Sequence, residues 1–127
     1  MSVQDAITKA EALLPGQAAP DGEIDPRWQA IIGVAEFIET EPEAVWSFIE
    51  RWGGHPDEDL RMAIATCLLE HLLENDFDHF IGRVEHRARA DALFARMVRS
   101  CWKLGQVKDP ERAVRFERLI AVVGLTR

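Results

Sequence analysis

The sequence has no tyrosine, only two cysteines and no apolar run long enough to cross a membrane. Two cysteines, Cys67 and Cys101, are too few for a disulfide framework, and both lie in apolar stretches where cysteine acts as a small hydrophobe. The first residues show no basic lead followed by an apolar stretch, so no secretory signal is predicted. These absences argue against a secreted disulfide scaffold and a membrane protein, and we expect a cytoplasmic location.

The sequence also lacks the motifs of common active sites. It contains no glycine-rich phosphate loop and no His-Glu-x-x-His motif, and its serines stand in no nucleophile elbow. Cys67, His71 and Glu74 share one face of a predicted helix, but no second pair at ligand spacing completes a four-ligand metal site. The sequence therefore predicts no catalytic residue, no metal and no cofactor, and we interpret the chain as a non-enzymatic protein.

What the sequence does contain is an uneven charge distribution. The 127 residues carry a formal net charge of −7, which disfavours nucleic acid as a partner. Residues 1–60 contain 13 acidic and 3 basic side chains, net −10, whereas residues 61–127 contain 9 acidic and 12 basic ones, net +3. Two interpretations stay open: the halves neutralise each other within or between chains, or one half is a docking surface for a charged partner.

Proline and glycine divide the chain into segments of helical periodicity. Residues 1–14 are predicted to form an N-terminal helical arm, residues 15–24 a linker, and residues 25–127 a helical core. Within the core, residues 58–75 are the most apolar segment and are predicted to lie in the middle of their neighbours. No segment shows the period of a β-strand, so the fold class is all-α, with about six to seven helices.

Three of the predicted helices begin with a similar phrase: Asp25-Pro26-Arg27, His55-Pro56-Asp57 and Asp109-Pro110-Glu111. An apolar–arginine step follows in two of them, at Leu60-Arg61 and Val114-Arg115. The stretches HPDEDLRMAIATCLLEHLL and KDPERAVRFERLIAVVG resemble the HEAT repeat, and residues 59–105 are similar to a group of small uncharacterised bacterial proteins. The spacing of the phrases is less regular than in HEAT arrays. The resemblance implies a right-handed stack of antiparallel helix pairs that offers a binding surface.

Arg61 falls in the apolar sector of the most apolar helix, where its charge needs a partner or an exit to water. The nearby Asp57 or Asp59 could provide that partner. We predict a structural ion pair between Arg61 and Asp57, in keeping with the ladder that links helix pairs in HEAT-like stacks.

The candidate partner-binding residues fall into three groups. Trp28 stands in a first helical turn beside several acidic residues and suits an interface hot spot, although core filling is the simpler role. The exposed acidic candidates are Glu36, Glu39, Glu43 and Glu50. The basic candidates form a helical stripe of Arg96, Arg99 and Lys103, which Arg83, Arg87 and Arg89 extend, and a merely solvated face is the alternative for them.

Two functional hypotheses follow. The first is a HEAT-like domain that binds another protein, for example an immunity or antitoxin-type protein whose acidic half covers a basic toxin. The second is a small-ligand or metal-binding domain with a pocket near Cys67, His71 and Trp102. Homodimer formation is compatible with both.

Overall fold

The computed structural model describes residues 1–101 and 109–125, the last four by their backbone only. Within these residues the chain forms seven helices and no β-strand, which confirms the all-α prediction for them. The helices are α1 (Val3–Leu13), α2 (Pro26–Ala35), α3 (Pro42–Trp52), α4 (residues 58–75), α5 (Phe77–Ala90), α6 (Ala92–Arg99) and α7 (Pro110–Leu125). None of these described helices has the length and apolar content needed to cross a bilayer.

Short polar side chains fix the starts of the helices. At α1, the Ser2 hydroxyl accepts a hydrogen bond from the Asp5 amide, and the Asp5 carboxylate accepts one from the Ser2 amide, each at 3.1 Å. Asp25 and Asp91 cap α2 and α6 in the same way, accepting from backbone amides at 2.8 and 2.9 Å. Each cap satisfies N–H groups that have no partner inside the helix, so these starts follow from local sequence.

Helix α4 is the centre of the core and changes its winding midway. It is α-helical at Glu58–Ala63, π-helical at Ile64–Leu69 and α-helical again at Glu70–Asn75. The Glu70 amide reaches back to the Ala65 carbonyl, five residues earlier, which is the hydrogen bond of a π-turn. Fully buried side chains from all three segments contact α2, α3, α5 and α6.

The N-terminal helix packs on its own chain. Ala6, Ile7 and Ala10 are buried against α2 and α3. The Glu11 carboxylate accepts hydrogen bonds from Arg51 Nη1 at 2.5 Å and Trp52 Nε1 at 2.9 Å. Burial by itself would raise the pKa of Glu11, but these two bonds outweigh it and hold the pKa below its ordinary value. The segment predicted as an arm is therefore tied to the core by both apolar and polar contacts.

Helices α2 and α4 lie side by side and run in the same direction. Near their starts, Trp28 Nε1 donates to Asp59 Oδ2 at 3.0 Å. At the other end, Asn75, the last residue of α4, donates from Nδ2 to the carbonyl of Ile38, just after α2, at 3.4 Å. Helix α2 ends at Ala35, and residues 36–40 continue as hydrogen-bonded turns up to the proline that begins α3. The carbonyl ends of two helices thus come together at one end of the molecule.

Candidate functional site

The C-terminal ends of α2 and α4 border a surface groove of about 660 Å³. We call it the acidic groove. From α2 and the turns after it come Ala35, Glu36, Ile38 and Glu39, and from α4 come His71, Glu74 and Asn75. Two of the predicted partner-binding acids, Glu36 and Glu39, therefore line the same groove as His71 and Glu74 of α4, which lie about 35 positions further along the sequence.

Three carboxylates of this groove face solvent without a strong counter-charge. Glu36 and Glu39 are exposed, and the Glu74 side chain is 45% exposed. Glu74 Oε2 lies 3.5 Å from His71 Nδ1, and this is the one ion-pair contact that these carboxylates make within residues 1–101 and 109–121.

Helix geometry strengthens the negative potential of the acidic groove. The free carbonyl groups at a helix C-terminus carry a partial negative charge, which cations stabilise and anions oppose. Glu36 follows directly on the last residue of α2, and Glu74 lies in the last turn of α4, while neither last turn contains a basic residue. Carboxylates at these positions lower the stability of the helices, and a bound cation would relieve that repulsion. The arrangement is suited to an ammonium or guanidinium group.

A second, smaller groove lies towards the N-terminal end of α4. It has a volume of about 370 Å³ and is lined by Glu58, Arg61, Arg96, Arg99 and Ser100. We call it the basic groove. Arg96 and Arg99 of the predicted stripe are placed together here, whereas Lys103 lies outside the described residues. The grooves lie at opposite ends of α4, since residues 58 and 74 are separated by roughly 24 Å of helix.

Comparison with known proteins places the chain in a family. Residues 17–121 match the family of unknown function DUF6869. The chain belongs to this family. No curated protein and no solved structure matches it. The DUF6869 match begins after α1 and includes every residue that lines the acidic groove and the basic groove.

The other predicted acids of this DUF6869 chain do not join the acidic groove. Glu43, in the first turn of α3, lies 2.7 Å from His79 Nε2 and 2.6 Å from Arg83 Nη1, both on α5. The hydrogen bond from Arg83 is the main cause of a lowered pKa at Glu43. Glu50 is exposed on α3 and does not line the groove. Glu43 thus serves the contact between two helices, and Glu36 and Glu39 remain available.

The basic residues of positions 1–60 form ion pairs with four of the thirteen carboxylates in that half, and none of the four lines the acidic groove. Arg27 pairs with Asp25, Asp57 and Asp59, Arg51 pairs with Glu11, and the exposed Lys9 makes no ion pair with a described residue. In the other half, Arg83, Arg87 and Arg89 each lie near a carboxylate, at 2.6, 3.7 and 2.8 Å. Glu43 is therefore neutralised by a basic residue of the other half of the chain, whereas the carboxylates of the acidic groove are not.

The ion pair predicted between Arg61 and Asp57 is replaced by other partners. Arg61 is buried, but its Nη1 donates to the carbonyls of His55 at 2.9 Å and Pro56 at 2.8 Å. Asp57 uses Oδ1 to cap α4, and its Oδ2 accepts from Arg27 Nη1 at 3.1 Å. Because the cap turns the carboxylate towards α2, the partner of Asp57 comes from another helix and not from one turn further along α4.

Arg27 is a structural residue that sequence reasoning missed. It is 3% exposed, donates from Nη1 to the Pro15 carbonyl at 2.7 Å and from Nη2 to Asp59 at 2.6 Å, and lies 3.5 Å from Asp25. The one signal for it in the sequence is its place directly after Asp25-Pro26, in a phrase similar to the one that begins α4, His55-Pro56-Asp57. Trp28 beside it is half-buried, and its indole nitrogen is already bound to Asp59. Its polar end is thus used inside the chain.

Of the second predicted pocket, near Cys67, His71 and Trp102, the structure describes the first two residues. His71 lines the acidic groove, Cys67 does not, and Trp102 lies outside the described residues. Burial raises the pKa of the half-buried Cys67 thiol and raises that of the fully buried Cys101 well above its ordinary value. No three His, Cys, Asp or Glu side chains of the described part of the chain are grouped so as to hold a metal ion.

Proposed function

We propose that this DUF6869 domain is a non-enzymatic protein-binding module whose acidic groove receives a lysine or arginine side chain of a basic partner. The observation that carries the proposal is the placement of Glu36, Glu39 and Glu74 around one concavity at two helix C-termini. Carboxylates and helix carbonyl ends both favour a cation at this position. A concave site also holds a side chain from several directions, which a flat acidic face does not.

An apolar contact is available beside the groove. Ile32 is 43% exposed on α2 and lies three and four residues before Ala35 and Glu36, so all three share one helix face. A partner that places a cation in the acidic groove would cover Ile32 with its neighbouring side chains. Burying an apolar side chain adds affinity that rim charges alone do not supply, because exposed charge pairs contribute little.

The architecture supports the HEAT-like interpretation that we propose for the stack. Helices α2 and α4 each follow a similar proline-containing phrase, run in the same direction and are joined at their starts by Arg27 and Asp57. Equivalent helices of successive repeats are expected to lie side by side in a HEAT-like array. In such an array the acidic groove would lie where the C-terminal ends of two equivalent helices meet.

The class of partner follows from size and charge. A domain of 127 residues with a net charge of −10 in its first 60 residues resembles an immunity or antitoxin-type protein that neutralises a basic toxin. Charge complementarity of that kind accelerates association and makes binding sensitive to salt.

The proposal is tested with a fluorescein-labelled arginine-rich peptide as the defined probe, followed by fluorescence anisotropy at low and high salt. The test variant combines Glu36→Gln, Glu39→Gln and Glu74→Gln. The matched control combines Asp21→Asn, Glu23→Gln and Glu117→Gln, three exposed acids outside the groove. Three partly exposed pairs at about 0.5 kcal/mol each predict roughly a tenfold loss of affinity in the test variant.

The control variant carries the same change in net charge, so it separates the groove from the overall charge. We expect it to bind the peptide within about twofold of the native affinity. Equal losses in both variants would show that only the overall charge matters and would overturn the groove as the site. A partner captured from the host lysate supports the proposal only if the groove variant loses it and the control variant keeps it.

A small cationic ligand is the second candidate, and the size of the groove favours it. A volume of about 660 Å³ lies within the range of small-molecule pockets. Titration with a polyamine, monitored by calorimetry, tests this candidate. Micromolar binding that the groove variant loses, together with no binding of the arginine-rich peptide, would favour the small ligand over a protein partner.

A further inference from the structure

Three arginines converge on the basic groove. Arg61 reaches it from α4, while Arg96 and Arg99 come from α6, and Ser100 follows directly after that helix. Glu58, in the first turn of α4, is the one carboxylate in the lining. The groove therefore carries an excess of two positive charges at neutral pH.

Arg61 is the unusual member of this group because its charge is buried without a carboxylate. The residue is 7% exposed, and its Nη1 donates to the carbonyls of His55 and Pro56. Among the described residues no Asp or Glu lies within ion-pair distance of it, although a buried charge is ordinarily paired. The two carbonyl bonds hold the guanidinium in one orientation, and Nε and Nη2 keep donors for another acceptor.

Arg96 and Arg99 are exposed and make no ion pair with any residue of the described ranges. The contrast with Arg83, Arg87 and Arg89 is informative, because each of those lies within 4.0 Å of a carboxylate. Three guanidinium groups around one concavity repel one another. A bound anion would remove that repulsion and would supply the counter-charge that Arg61 lacks.

We propose that the basic groove binds the phosphate group of a small phosphorylated ligand. Guanidinium groups bind phosphate oxygens through paired N–H donors, and a phosphate monoester dianion matches the charge excess of the groove better than a single carboxylate. A concavity of about 370 Å³ accommodates a phosphate with a small attached group. The formal net charge of −7, and a groove lined by three arginines and not by an extended basic track, disfavour a nucleic-acid backbone as the source of the phosphate. This inference does not rest on the acidic groove.

The test measures the thermal stability of the full chain with increasing inorganic phosphate or glycerol 3-phosphate, against sodium chloride at equal ionic strength. A ligand that binds only the folded state raises the melting temperature with its concentration. We expect this rise for both phosphate probes, and a chemical-shift change of their ³¹P signal on adding protein. In Arg96→Gln with Arg99→Gln, we expect at least about a tenfold weaker response, because charge-assisted bonds are lost.

The matched control is Arg115→Gln with Arg118→Gln, two exposed arginines three residues apart on α7 that line neither groove. It should respond to phosphate as the native protein does. Arg61→Lys keeps the positive charge but removes the paired N–H donors of the guanidinium, so it should weaken phosphate binding. This variant tests the role of Arg61 even if Arg61→Met fails to fold.

Three results would overturn the proposal. The first is a phosphate response no larger than that to chloride. The second is an equal loss in the groove variant and the α7 variant, which would indicate general charge screening. The third is a short DNA duplex that binds through Arg96 and Arg99 and is not displaced by glycerol 3-phosphate, which would replace the small ligand by nucleic acid. None of these measurements uses the acidic-groove variants, so the two proposals fail separately.

Discussion

The guanidinium of Arg27 donates from Nη2 to the carboxylate of Asp59 at 2.6 Å, across 32 positions of sequence. The same side chain contacts Asp57 and the Pro15 carbonyl, so one buried residue joins α2, the start of α4 and the segment after α1. Asp59 in turn accepts from the Trp28 indole. The direction of α2 relative to α4, and with it the position of the acidic groove, depends on this cluster.

Arg27→Met should destabilise the fold strongly. Removing Arg27 leaves three partly exposed carboxylates and the Pro15 carbonyl without their donor, which costs about 2 kcal/mol. Urea unfolding of the full chain measures the free energy. Arg51→Met is the control: its side chain is 60% exposed and also pairs with a carboxylate, so less than about 1 kcal/mol should be lost. Similar losses of unfolding free energy in the two variants would show that the buried Arg27 stabilises the fold no more than the exposed Arg51 does.

The same cluster predicts how stability depends on pH. Partial burial would raise the pKa of Asp25 and of Asp57, but hydrogen bonds from Arg27 and from backbone amides outweigh it and lower both values. A carboxyl group whose pKa is lowered by folding stabilises the folded state above its unfolded pKa, and this contribution disappears as the pH falls through the folded value. We therefore expect the free energy of unfolding to decline below about pH 5.

Arg27→Met should reduce that decline in part, because it removes the side-chain donor that Asp25 and Asp57 share and leaves the backbone amides in place. Urea unfolding of the native protein and the variant at several pH values between neutrality and about pH 3 gives the comparison. Parallel curves would assign the pH dependence to other carboxylates, such as Glu11 and Glu43, whose pKa values are also lowered.

How much of this structure can be predicted from the sequence depends on whether the deciding contacts are local. Caps at Ser2, Asp25 and Asp91 act on amides two or three residues away, so the helix starts follow from the sequence. The apolar composition of residues 58–75 likewise predicts a central helix. The π-turn inside it has no comparable sequence signal, since it depends on how α4 packs against its neighbours.

The candidate sites can be predicted only in part. A sequence shows which residues are charged, but it does not show which residues of other helices they contact. Glu39 and Glu43 are four residues apart and look equivalent, yet the contacts of Glu43 lie on α5, 36 and 40 positions away. Glu70 and Glu74 are four residues apart, a spacing typical of a solvent-exposed helix face. Glu74 lines one groove with Glu36 and Glu39 only because α2 and α4 run in the same direction. Asp57 likewise pairs with Arg27 and not with Arg61 because α2 packs beside α4, a contact between helices that the sequence does not show.

Two glycines should respond in opposite directions to alanine. A Cβ at Gly54 would lie 2.5 Å from Asp91 Oδ2, and Asp91 cannot move without releasing the amides that it caps on α6. Gly54→Ala should therefore destabilise by about 1 kcal/mol or more, the usual contribution of a cap. At Gly82, inside α5, a Cβ would meet no atom of a neighbouring element within 4 Å. Gly82→Ala should stabilise by about 0.5–1 kcal/mol.

Thermal or urea unfolding of both glycine variants checks this pair of predictions. The variant Gly54→Ala with Asp91→Ala is the further control, since it removes the clash together with the cap. Its stability should match that of Asp91→Ala alone within the error of the measurement. A stable Gly54→Ala variant would mean that α3 and α6 approach each other less closely than the structure shows.

The last prediction separates two neighbouring acids by their roles. Glu39→Gln and Glu43→Gln remove the same charge, but Glu39 lines the acidic groove and Glu43 is engaged with His79 and Arg83. Glu39→Gln should weaken binding of the arginine-rich peptide by about threefold without changing stability, because one partly exposed charge pair is lost. Glu43→Gln should leave binding within about twofold and lower stability by less than about 1 kcal/mol. Anisotropy and urea unfolding on the same preparations give both values, and the reverse pattern would move the binding site from the end of α2 to the face of α3 and α5.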